Sequence, residues 1–339
     1  MVITKPQKQS IQNLTAEAEN IVIVCHMTPD GDALGSSLSL CHMLRVMGKK
    51  ACVVTPDTPP ESLRFLPGAE KITIASFHTE RAERFIREAN LIFCLDFNDL
   101  HRIDRMAPLV EASGARRIVI DHHLNPSIEA DVIISHPEIS STCALLYLVA
   151  EDMGWLRYLT VDAATCCCVG MMTDTGNFSY NSNDPELYRI LSRLVAKGVD
   201  KDALYTRLFN VNSAARIRIM GFAQCSRMQL FEPQGLALIS LSRADLDEFD
   251  YHRGDTEGLV NIPLSIPGIH CSIFLREDEP GYVKVSMRSK GDFSVKELCE
   301  KYFGGGGHHN ASGGEMRAPL PRVIDRVISL LPEIQLTTD

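Results

Sequence analysis

Histidine and aspartate side chains follow short apolar runs at several places in the sequence, and these are the residues best able to do chemistry. The run at 118–120 is β-branched and leads directly into Asp121, His122 and His123. Other candidates share this setting or lie shortly beyond it: His26, Asp30, Asp32, Asp96 and Asp174. Carboxylate oxygens are the ligands that hard divalent ions prefer, and imidazole suits Mn²⁺ and its neighbours. The residue types therefore predict a site for divalent metal.

The number of carboxylates narrows the kind of metal site. It is too large for a single zinc ion, and acids that converge without a basic partner repel one another and shift each other's pKa. Divalent metal removes that repulsion. Two ions about 3.5–4 Å apart form the usual clamp for phosphoester hydrolysis, because they activate water and stabilise the leaving oxygen. The pattern thus favours a two-metal phosphoesterase.

Each of these residues also has an ordinary structural explanation. His26 could be a hydrogen-bonded histidine of the core, and Asp174 could end a helix. Asp30 and Asp32 could be turn and N-cap residues, since Pro-Asp-Gly-Asp is common turn chemistry. Together these explanations are weak, because every candidate falls at the same edge of the fold inferred from the sequence.

Strands and helices alternate over the first half of the chain, which is typical of a mostly parallel, doubly wound α/β sheet. Strands are predicted at 21–25, 51–54, 72–74, 91–95, 117–120 and 132–134, and helices at 11–19, 37–47, 79–89, 101–111, 141–152 and 161–172. Three of the strands lead into His26, Asp96 and Asp121. If these strands are neighbours, their carboxyl ends meet at one edge of the sheet, where open α/β folds bind ligands.

The character of the sequence changes after Asn177. Exposed helices are predicted at 184–197 and 201–209, and a longer helix with apolar anchors at 213–227. Strands at 235–241, 269–275 and 282–287 and helices at 295–302 and 322–331 follow. We predict a catalytic domain at 1–198, a helical connector at 199–227 and a smaller α+β C-terminal domain at 228–339. The active site is expected in the cleft between the two domains.

A glycine-dense segment at 303–314 is a second candidate site, because glycine lets backbone N–H groups approach a phosphate closely. A histidine follows the glycines directly, and the segment is expected to continue as a helix. An arginine at the end of an upstream strand could grip a phosphate with two parallel hydrogen bonds. The alternatives are a flexible loop and a surface arginine. The candidate substrate-binding residues are Arg288, Ser289, Gly305, Gly306, Gly307 and His308.

Composition limits the class of protein and of partner. The chain has 339 residues, of which 45% are hydrophobic and 23% charged, as in ordinary globular proteins. Its net charge of −9 argues against binding long duplex nucleic acid but allows a small anionic substrate held by local cations or metal. No apolar run approaches the roughly 18 residues of a membrane span, and residues 1–20 lack the core of a signal peptide. The 11 cysteines form no Cys-x-x-Cys pairs, so we expect buried free thiols in a cytoplasmic protein.

The ordered motifs resemble the DHH phosphoesterase family. Residues 26–36, with the pattern His-x-x-x-Asp-x-Asp-Ala-x-Gly-Ser, are similar to its first motif, and Asp96 after an apolar strand is similar to its second. Residues 121–123 match the third motif, and Asp174 in Thr-Asp-Thr-Gly matches the fourth. The 304–314 segment, with Arg288, is similar to the DHH-associated C-terminal domain. The resemblance covers nearly the whole chain in order.

The resemblance implies two groups of metal ligands that share one aspartate. The first group is His26, Asp30 and Asp96; the second is Asp32, Asp96, His122 and Asp174. Asp121 would orient His122, and His123 would face the scissile phosphate as electrostatic stabiliser or proton donor. The implied cofactors are two divalent ions, Mn²⁺ by the family's preference, with Mg²⁺ and Co²⁺ as alternatives.

Length and two-domain layout are most similar to the NrnA-type nanoRNase branch of the family, which degrades very short oligoribonucleotides and removes the 3′-phosphate from pAp. That branch often has an arginine shortly after Thr-Asp-Thr-Gly, whereas this chain continues with Asn-Phe-Ser-Tyr at 177–180. The expected substrates are short single-stranded RNA or small nucleotides, with no membrane partner. Alternatives are linear or cyclic dinucleotides, pyrophosphate or short polyphosphate, and a nucleotide-binding protein without turnover. The oligomeric state is left open, with a homodimer as one alternative.

Overall fold

Six parallel strands form the sheet of the first unit of the chain, Met1–Asn210. The computed structural model describes residues 1–332, and the strands of this sheet are β1 (Asn20–Val24), β2 (Lys50–Thr55), β3 (Thr73–Ile74), β4 (Leu91–Leu95), β5 (Arg116–Asp121) and β6 (Val132–Ser135). Their order is β3-β2-β1-β4-β5-β6, and every pair is parallel. β4 is apolar throughout and β1 is apolar after Asn20, as a sheet that is covered on both faces requires.

Helices cover both faces of this sheet. They are α1 (Lys5–Glu17), α2 (Gly31–Val46), α3 (Thr79–Glu88), α4 (Ala107–Ala112), α5 (Thr142–Met153), α6 (Val161–Asp174), α7 (Pro185–Lys197) and α8 (Lys201–Phe209). One hydrophobic core includes α1, α2, α5 and α6, and a second core on the opposite face includes α3 and α4. The prediction of a doubly wound parallel sheet is confirmed.

The strand order reverses between β1 and β4, which lie side by side at the centre of the sheet. In open α/β folds the crevice at such a reversal is the usual ligand site. β1 leads into His26, β4 leads into Asp96, and the neighbouring β5 ends at Asp121. The three strands that were predicted to lead into candidate site residues are therefore neighbours in the sheet.

Small residues let α2 and α6 pack closely. A Cβ atom added to Gly35 would lie 2.5 Å from the carbonyl oxygen of Cys166, and one added to Gly31 would lie 2.4 Å from Oγ1 of Thr173. Because real side chains do not tolerate such distances, glycine is required at both positions. The contact brings the first turn of α2 beside the last turn of α6, and those turns carry Asp32 and Asp174.

The second unit begins at Val211 and is built on a mixed sheet. Its strands are β7 (Met228–Phe231), β8 (Leu236–Leu241), β9 (Cys271–Glu279), β10 (Tyr282–Ser289), β11 (Gly306–His308) and β12 (Ala311–Met316), in the order β11-β12-β10-β9-β8-β7. Only the β8–β9 pair is parallel among the described strands of this sheet. The helices are α9 (Ala214–Ser226), α10 (Arg243–Glu248), α11 (Val295–Tyr302) and α12 (Leu320–Leu330). The predicted α+β character of this part is confirmed.

The division between the units falls inside the segment that the sequence assigned to a connector, 199–227. Helix α8 packs with the first unit, and α9 contributes to a core of the second. Residues 333–339, at the end of the predicted C-terminal domain, lie outside the described residues. Within residues 1–332, the helices are too short or too polar to cross a membrane. All the cysteines are free, and Cys225 is the exposed one.

Candidate metal centre and substrate site

Three overlapping groups of histidine and aspartate side chains meet at the carboxyl edge of the parallel sheet. Within each group, the possible ligand atoms lie within 4.8 Å of one another. The groups are His26 with Asp30 and Asp96, Asp32 with His122 and Asp174, and Asp96 with His122 and His123. Every metal-ligand candidate from the sequence is thus brought into one cluster, and these groups could hold divalent metal.

Asp96 lies at the middle of the cluster. Its two carboxylate oxygens face different histidines: Oδ2 is 3.4 Å from Nε2 of His26, and Oδ1 is 3.6 Å from Nε2 of His122. The residue has a left-handed φ of 65°, an uncommon conformation for a side chain other than glycine. The hydroxyl of Thr142 donates a 2.9 Å hydrogen bond to Oδ1. Asp96 is therefore placed to serve two ligand groups at once.

His26 and Asp30 complete one side of the cluster. Asp30 is the N-cap of α2, and its Oδ1 accepts hydrogen bonds from the amides of Asp32 and Ala33, both at 3.0 Å. Its other oxygen, Oδ2, lies 3.7 Å from Nε2 of His26. The ordinary explanation of Asp30 as an N-cap is thus correct and compatible with a role in the site, because each oxygen has a separate partner.

Asp32, His122 and Asp174 form the other side. Nε2 of His122 is 3.3 Å from Oδ2 of Asp174 and 3.9 Å from Oδ2 of Asp32. Asp32 is fully buried, and its carboxylate accepts hydrogen bonds from the amides of Thr142 (2.5 Å) and Cys143 (2.9 Å) at the start of α5. Helix N-termini bind anions in this way, because the first amides have no partner within the helix.

The distances between donor atoms fit a shared cation better than direct hydrogen bonding. Two atoms bound to one ion at roughly 2.0–2.2 Å lie roughly 3–3.6 Å apart, and the observed separations of 3.3 to 3.9 Å are close to this range. Burial raises the pKa of Asp32, and repulsion by Asp96 and Asp174 raises it further. Burial together with Asp96 and Asp30 raises the pKa of Asp174 to about 8. The donor set therefore carries excess negative charge that a divalent ion would neutralise.

Asp121 has a different partner from the one implied by the family resemblance. Its Oδ1 lies 2.8 Å from Nδ1 of His123, whereas Nδ1 of His122 contacts the carbonyl oxygen of Ile139 at 3.2 Å. The expectation that Asp121 orients His122 was therefore wrong. Asp121 is fully buried and raises the pKa of His123, against the opposing effects of burial and of Arg102. Asp121 thus holds the histidine that was expected to face the scissile phosphate.

The rim of the cluster carries residues that sequence reasoning missed. Arg102 lies on a 3₁₀ helix, Leu100–Met106, which replaces the first half of the helix predicted at 101–111. Its carbonyl accepts a 2.6 Å hydrogen bond from the amide of Met27, and within residues 1–332 its guanidinium has no ion pair or hydrogen bond. Met27, Leu124 and Tyr180 leave 38%, 67% and 56% of their surfaces exposed. Thr142 was also missed, although the predicted N-cap at Ser141 implied free amides there.

Arg288 lies on the face of the second sheet that is opposite α11 and α12. Alternate residues of β10, Val283, Val285 and Met287, pack into the core formed with α11 and α12, so Arg288 points to the other face. Its guanidinium donates a hydrogen bond to the carbonyl of Met287 and has no acidic partner among the described residues. Burial lowers the pKa of this half-buried side chain. A half-buried arginine without a counter-ion is a suitable anion site.

The glycine segment forms a β-hairpin, so the expectation of a loop leading into a helix was wrong. A Cβ atom on Gly305 would lie 2.0 Å from the carbonyl oxygen of Gly313, and one on Gly307 would lie 2.6 Å from that of Ala311. These two glycines are therefore required by packing between β11 and β12, whereas a Cβ atom on Gly306 would make only an ordinary contact, 3.8 Å from Oε1 of Glu300. Ala311 of β12 is paired with His308 of β11 on one side and with Arg288 of β10 on the other.

This pairing puts Arg288 and His308 on one face of the sheet, in one row on either side of Ala311. Their backbones are separated by two strand spacings, roughly 10 Å, which is within reach of one ligand for long side chains. Ser289 differs from the expectation that it binds substrate. It is buried, donates a 2.6 Å hydrogen bond to the carbonyl of Phe293 and accepts one from the side-chain amide of Asn310. Its hydroxyl is engaged in holding the turn after β10.

Comparison with known families gives two matches that follow the two units. The model of the DHH family, N-terminal domain, matches residues 20–171, and the model of the DHHA1 domain matches residues 236–334. The first match contains all the cluster residues except Asp174. The second contains Arg288 and the glycine hairpin.

Individual relatives extend the comparison over nearly the whole chain. The bifunctional oligoribonuclease and PAP phosphatase NrnA of Thermus thermophilus is 33% identical over 317 residues, covering 92% of this chain and 89% of that protein. The Bacillus subtilis protein of the same name is 27% identical, covering 88% and 90%. The crystal structure of an exopolyphosphatase-related protein from Bacteroides fragilis superposes with a TM-score of 0.90 at 42% identity and covers 98% of both chains.

Proposed function

This chain belongs to the DHH family of phosphoesterases, and on that premise we propose that it hydrolyses short oligoribonucleotides and removes the 3′-phosphate of pAp. The observation that carries the proposal is Asp96, whose two oxygens face the histidines of two separate ligand groups. That arrangement suits a pair of divalent ions sharing one bridging carboxylate. The named activities of the two NrnA relatives support the choice of substrate.

We propose Mn²⁺ as the ion at both positions, because the donors combine imidazole with carboxylate oxygen. One ion would be held by His26, Asp30 and Asp96; the other by Asp32, Asp96, His122 and Asp174. When bound, the ions supply activated water and positive charge at the reacting phosphate. The chain itself fixes the ligands, since α5 amides hold Asp32 and the carbonyl of Ile139 holds His122.

His123 is the proposed proton donor of the reaction. Asp121 binds Nδ1 of this histidine, which fixes the orientation of the ring and leaves Nε2 free to give a proton to the leaving oxygen. The guanidinium of Arg102, which has no partner in the described part of the chain and acts electrostatically on His123, would bind a non-bridging phosphate oxygen. Both side chains bind or protonate the substrate rather than hold metal in this proposal.

The composition of the rim supports a nucleotide substrate over pyrophosphate or polyphosphate. Met27 and Leu124 directly follow His26 and His123 in the chain and are exposed. Tyr180 lies close to Asp174: burial raises the pKa of the tyrosine most, and the charge of Asp174 raises it further. Exposed apolar and aromatic side chains give contact area to bases and riboses but nothing to an inorganic anion.

The function is tested by incubating the purified protein with Mn²⁺ and a 5′-labelled RNA ladder of two to five nucleotides, with pAp and pyrophosphate in parallel. The expected result is rapid release of mononucleotides, fastest from the shortest RNA, and release of phosphate from pAp. Cleavage of the two-nucleotide RNA alone, without activity on longer RNA or pAp, would move the protein to the dinucleotide branch of the family. Phosphate release from pyrophosphate alone would contradict the nucleotide proposal while keeping the metal centre.

We expect Arg288→Ala to raise KM for oligoribonucleotides by about tenfold or more and to change kcat on a generic phosphodiester by less than twofold. The reason is that its guanidinium, without an acidic partner, would bind a charged group of the substrate remote from the reacting phosphate. Steady-state kinetics on both substrates measures the difference. Arg322→Ala is the matched control, because Arg322 is exposed on α12, which covers the opposite face of the sheet. Equal losses on the two substrates would contradict the binding role.

A further inference from the structure

A cavity of about 510 Å³ lies beside His122 in the first unit. Two loops line it, residues 137–140 between β6 and α5 and residues 181–184 between α6 and α7. The imidazole of His122 forms part of the wall, while its Nε2 lies 3.3 Å from Asp174. The cavity therefore adjoins the candidate metal centre through one side chain. Its volume is in the range typical of small-molecule sites.

The charge of the cavity argues against a phosphate ligand. Among the described residues that line it there is no lysine or arginine, and it has two carboxylates, Glu138 and Asp184. Both acids are engaged with neighbours: Glu138 lies 2.7 Å from Nδ1 of His136, and Asp184 accepts a hydrogen bond from the amide of Glu186. An anion entering the cavity would meet these two carboxylates and no lysine or arginine among the lining residues. An uncharged polar ligand would not meet this repulsion.

Free hydrogen-bonding groups are nevertheless available in the cavity. The side chains of Asn181, Asn183 and Ser140 line it and make no hydrogen bond with any described residue. Ser182 differs, since its hydroxyl donates to the carbonyl of Phe178 at 3.0 Å. Amides and hydroxyls that both donate and accept are the groups that recognise ribose hydroxyls and the edges of bases.

The loop that carries the two asparagines follows Asp174 of the candidate metal centre in the chain, and several of its residues have positive φ. After Asp174 the chain has positive φ at Gly176 (52°), Asn177 (55°), Phe178 (64°) and Asn181 (47°). The amide of Asn177 donates to the carbonyl of Met172 at 2.7 Å, which ties the turn to the end of α6. Side chains other than glycine adopt this conformation at a cost, and such strain concentrates at functional sites.

We propose that this cavity binds the uncharged base and ribose of the nucleotide whose phosphate reacts, through Asn181, Asn183 and Ser140. The inference rests on the proposed phosphoesterase function of the adjoining centre. It goes further by assigning the nucleoside to a site in the first unit. It also assigns selection for nucleosides over inorganic anions to side chains that hold no metal.

The test uses a double variant, Asn181→Gly with Asn183→Ala, in the full chain. Glycine is chosen at 181 because φ of 47° strains an alanine. KM for a ribodinucleotide should rise about 10–100-fold, or roughly tenfold per lost hydrogen bond, while turnover of bis-p-nitrophenyl phosphate changes less than twofold. Asn13→Ala, an exposed asparagine of α1, is the matched control. Unchanged kinetics on the dinucleotide, or equal losses on both substrates, would overturn the inference.

A binding measurement separates failure of this inference from failure of the proposed function. Adenosine and inorganic phosphate are titrated separately into wild type and double variant, and binding is followed by calorimetry. Adenosine should bind wild type at least tenfold more tightly than the variant, and phosphate should bind both equally. If the protein hydrolyses no nucleotide, the proposed function is contradicted, but the adenosine titration still shows whether the cavity binds a nucleoside. Equal adenosine binding by the two proteins would overturn the subsite even in an active nuclease.

Discussion

Asp96→Asn is expected to lower kcat/KM on ribodinucleotides by at least about 10³-fold, which corresponds to roughly 4 kcal/mol of transition-state stabilisation. We also expect Mn²⁺ to raise the melting temperature of wild type and the substitution to abolish that rise. The reason is that Oδ1 and Oδ2 of Asp96 face His122 and His26 in separate groups, whereas an amide offers a single, neutral oxygen. A ligand that binds only the folded state stabilises by about 2.7 kcal/mol at a hundred times its Kd, so thermal unfolding with and without Mn²⁺ reads out metal binding directly.

The fold should survive this substitution. An asparagine can keep the hydrogen bond from Thr142 through its own oxygen, and loss of attraction to His26 is offset by relief of repulsion from Asp32 and Asp174. We therefore expect the free energy of unfolding without metal to change by less than about 2 kcal/mol. Asp202→Asn, an exposed aspartate on α8, is the matched control and should leave both activity and metal response intact. An Asp96→Asn variant that retains the Mn²⁺ response would contradict the bridging role.

His123→Gln is expected to lower kcat by about 10²–10⁴-fold with little change in KM, while the stabilisation by Mn²⁺ remains. Nδ1 of His123 is held by Asp121, so its remaining nitrogen is the one free to act on substrate. The combination of lost turnover with retained metal response separates a proton donor from a ligand. It is the opposite of the result expected for Asp96, for which both readouts fail together.

The same experiment tests an alternative assignment of His123. This histidine also lies in a group with Asp96 and His122 whose donor atoms are close enough to hold an ion. If His123→Gln removes the Mn²⁺-induced shift, His123 is a metal ligand and the proton donor must be sought elsewhere. His78→Gln provides the matched control, because His78 is exposed and its side chain makes no cap hydrogen bond at α3.

The convergence of His26, Asp96 and Asp121 could be predicted from the sequence, because short apolar runs fix where strands end and parallel pairing brings those ends to one edge. The α+β character of the second unit could be predicted from the shorter strands in that part of the sequence. The sequence placed Arg288 at the end of the strand predicted at 282–287, and the structure includes it in β10. These predictions depended on the pattern of apolar and polar residues within short segments, which can be read without knowing the tertiary structure.

The partners inside the site could not be predicted in this way. The carboxylate of Asp32 is held by the amides of Thr142 and Cys143, which are more than a hundred residues away in the chain. No pattern in the sequence around Asp32 predicts that contact. The choice of Asp121 between two adjacent histidines depends on ring orientation, which the carbonyl of Ile139 decides for His122. Glycines at 305 and 307 were interpreted as space for a phosphate, whereas the partner strand β12 occupies that space. Each of these details depends on tertiary packing.

The spread of the candidate ligands along the chain sets the order in which the centre can be assembled during synthesis. The group of His26, Asp30 and Asp96 is complete in sequence as soon as β4 has been made, whereas the group of Asp32 and His122 needs Asp174 at the end of α6. N-terminal segments leave the ribosome first, and metal binding is coupled to folding. If each group holds an ion, as proposed, the second ligand group is completed only after the last turn of α6 has been made.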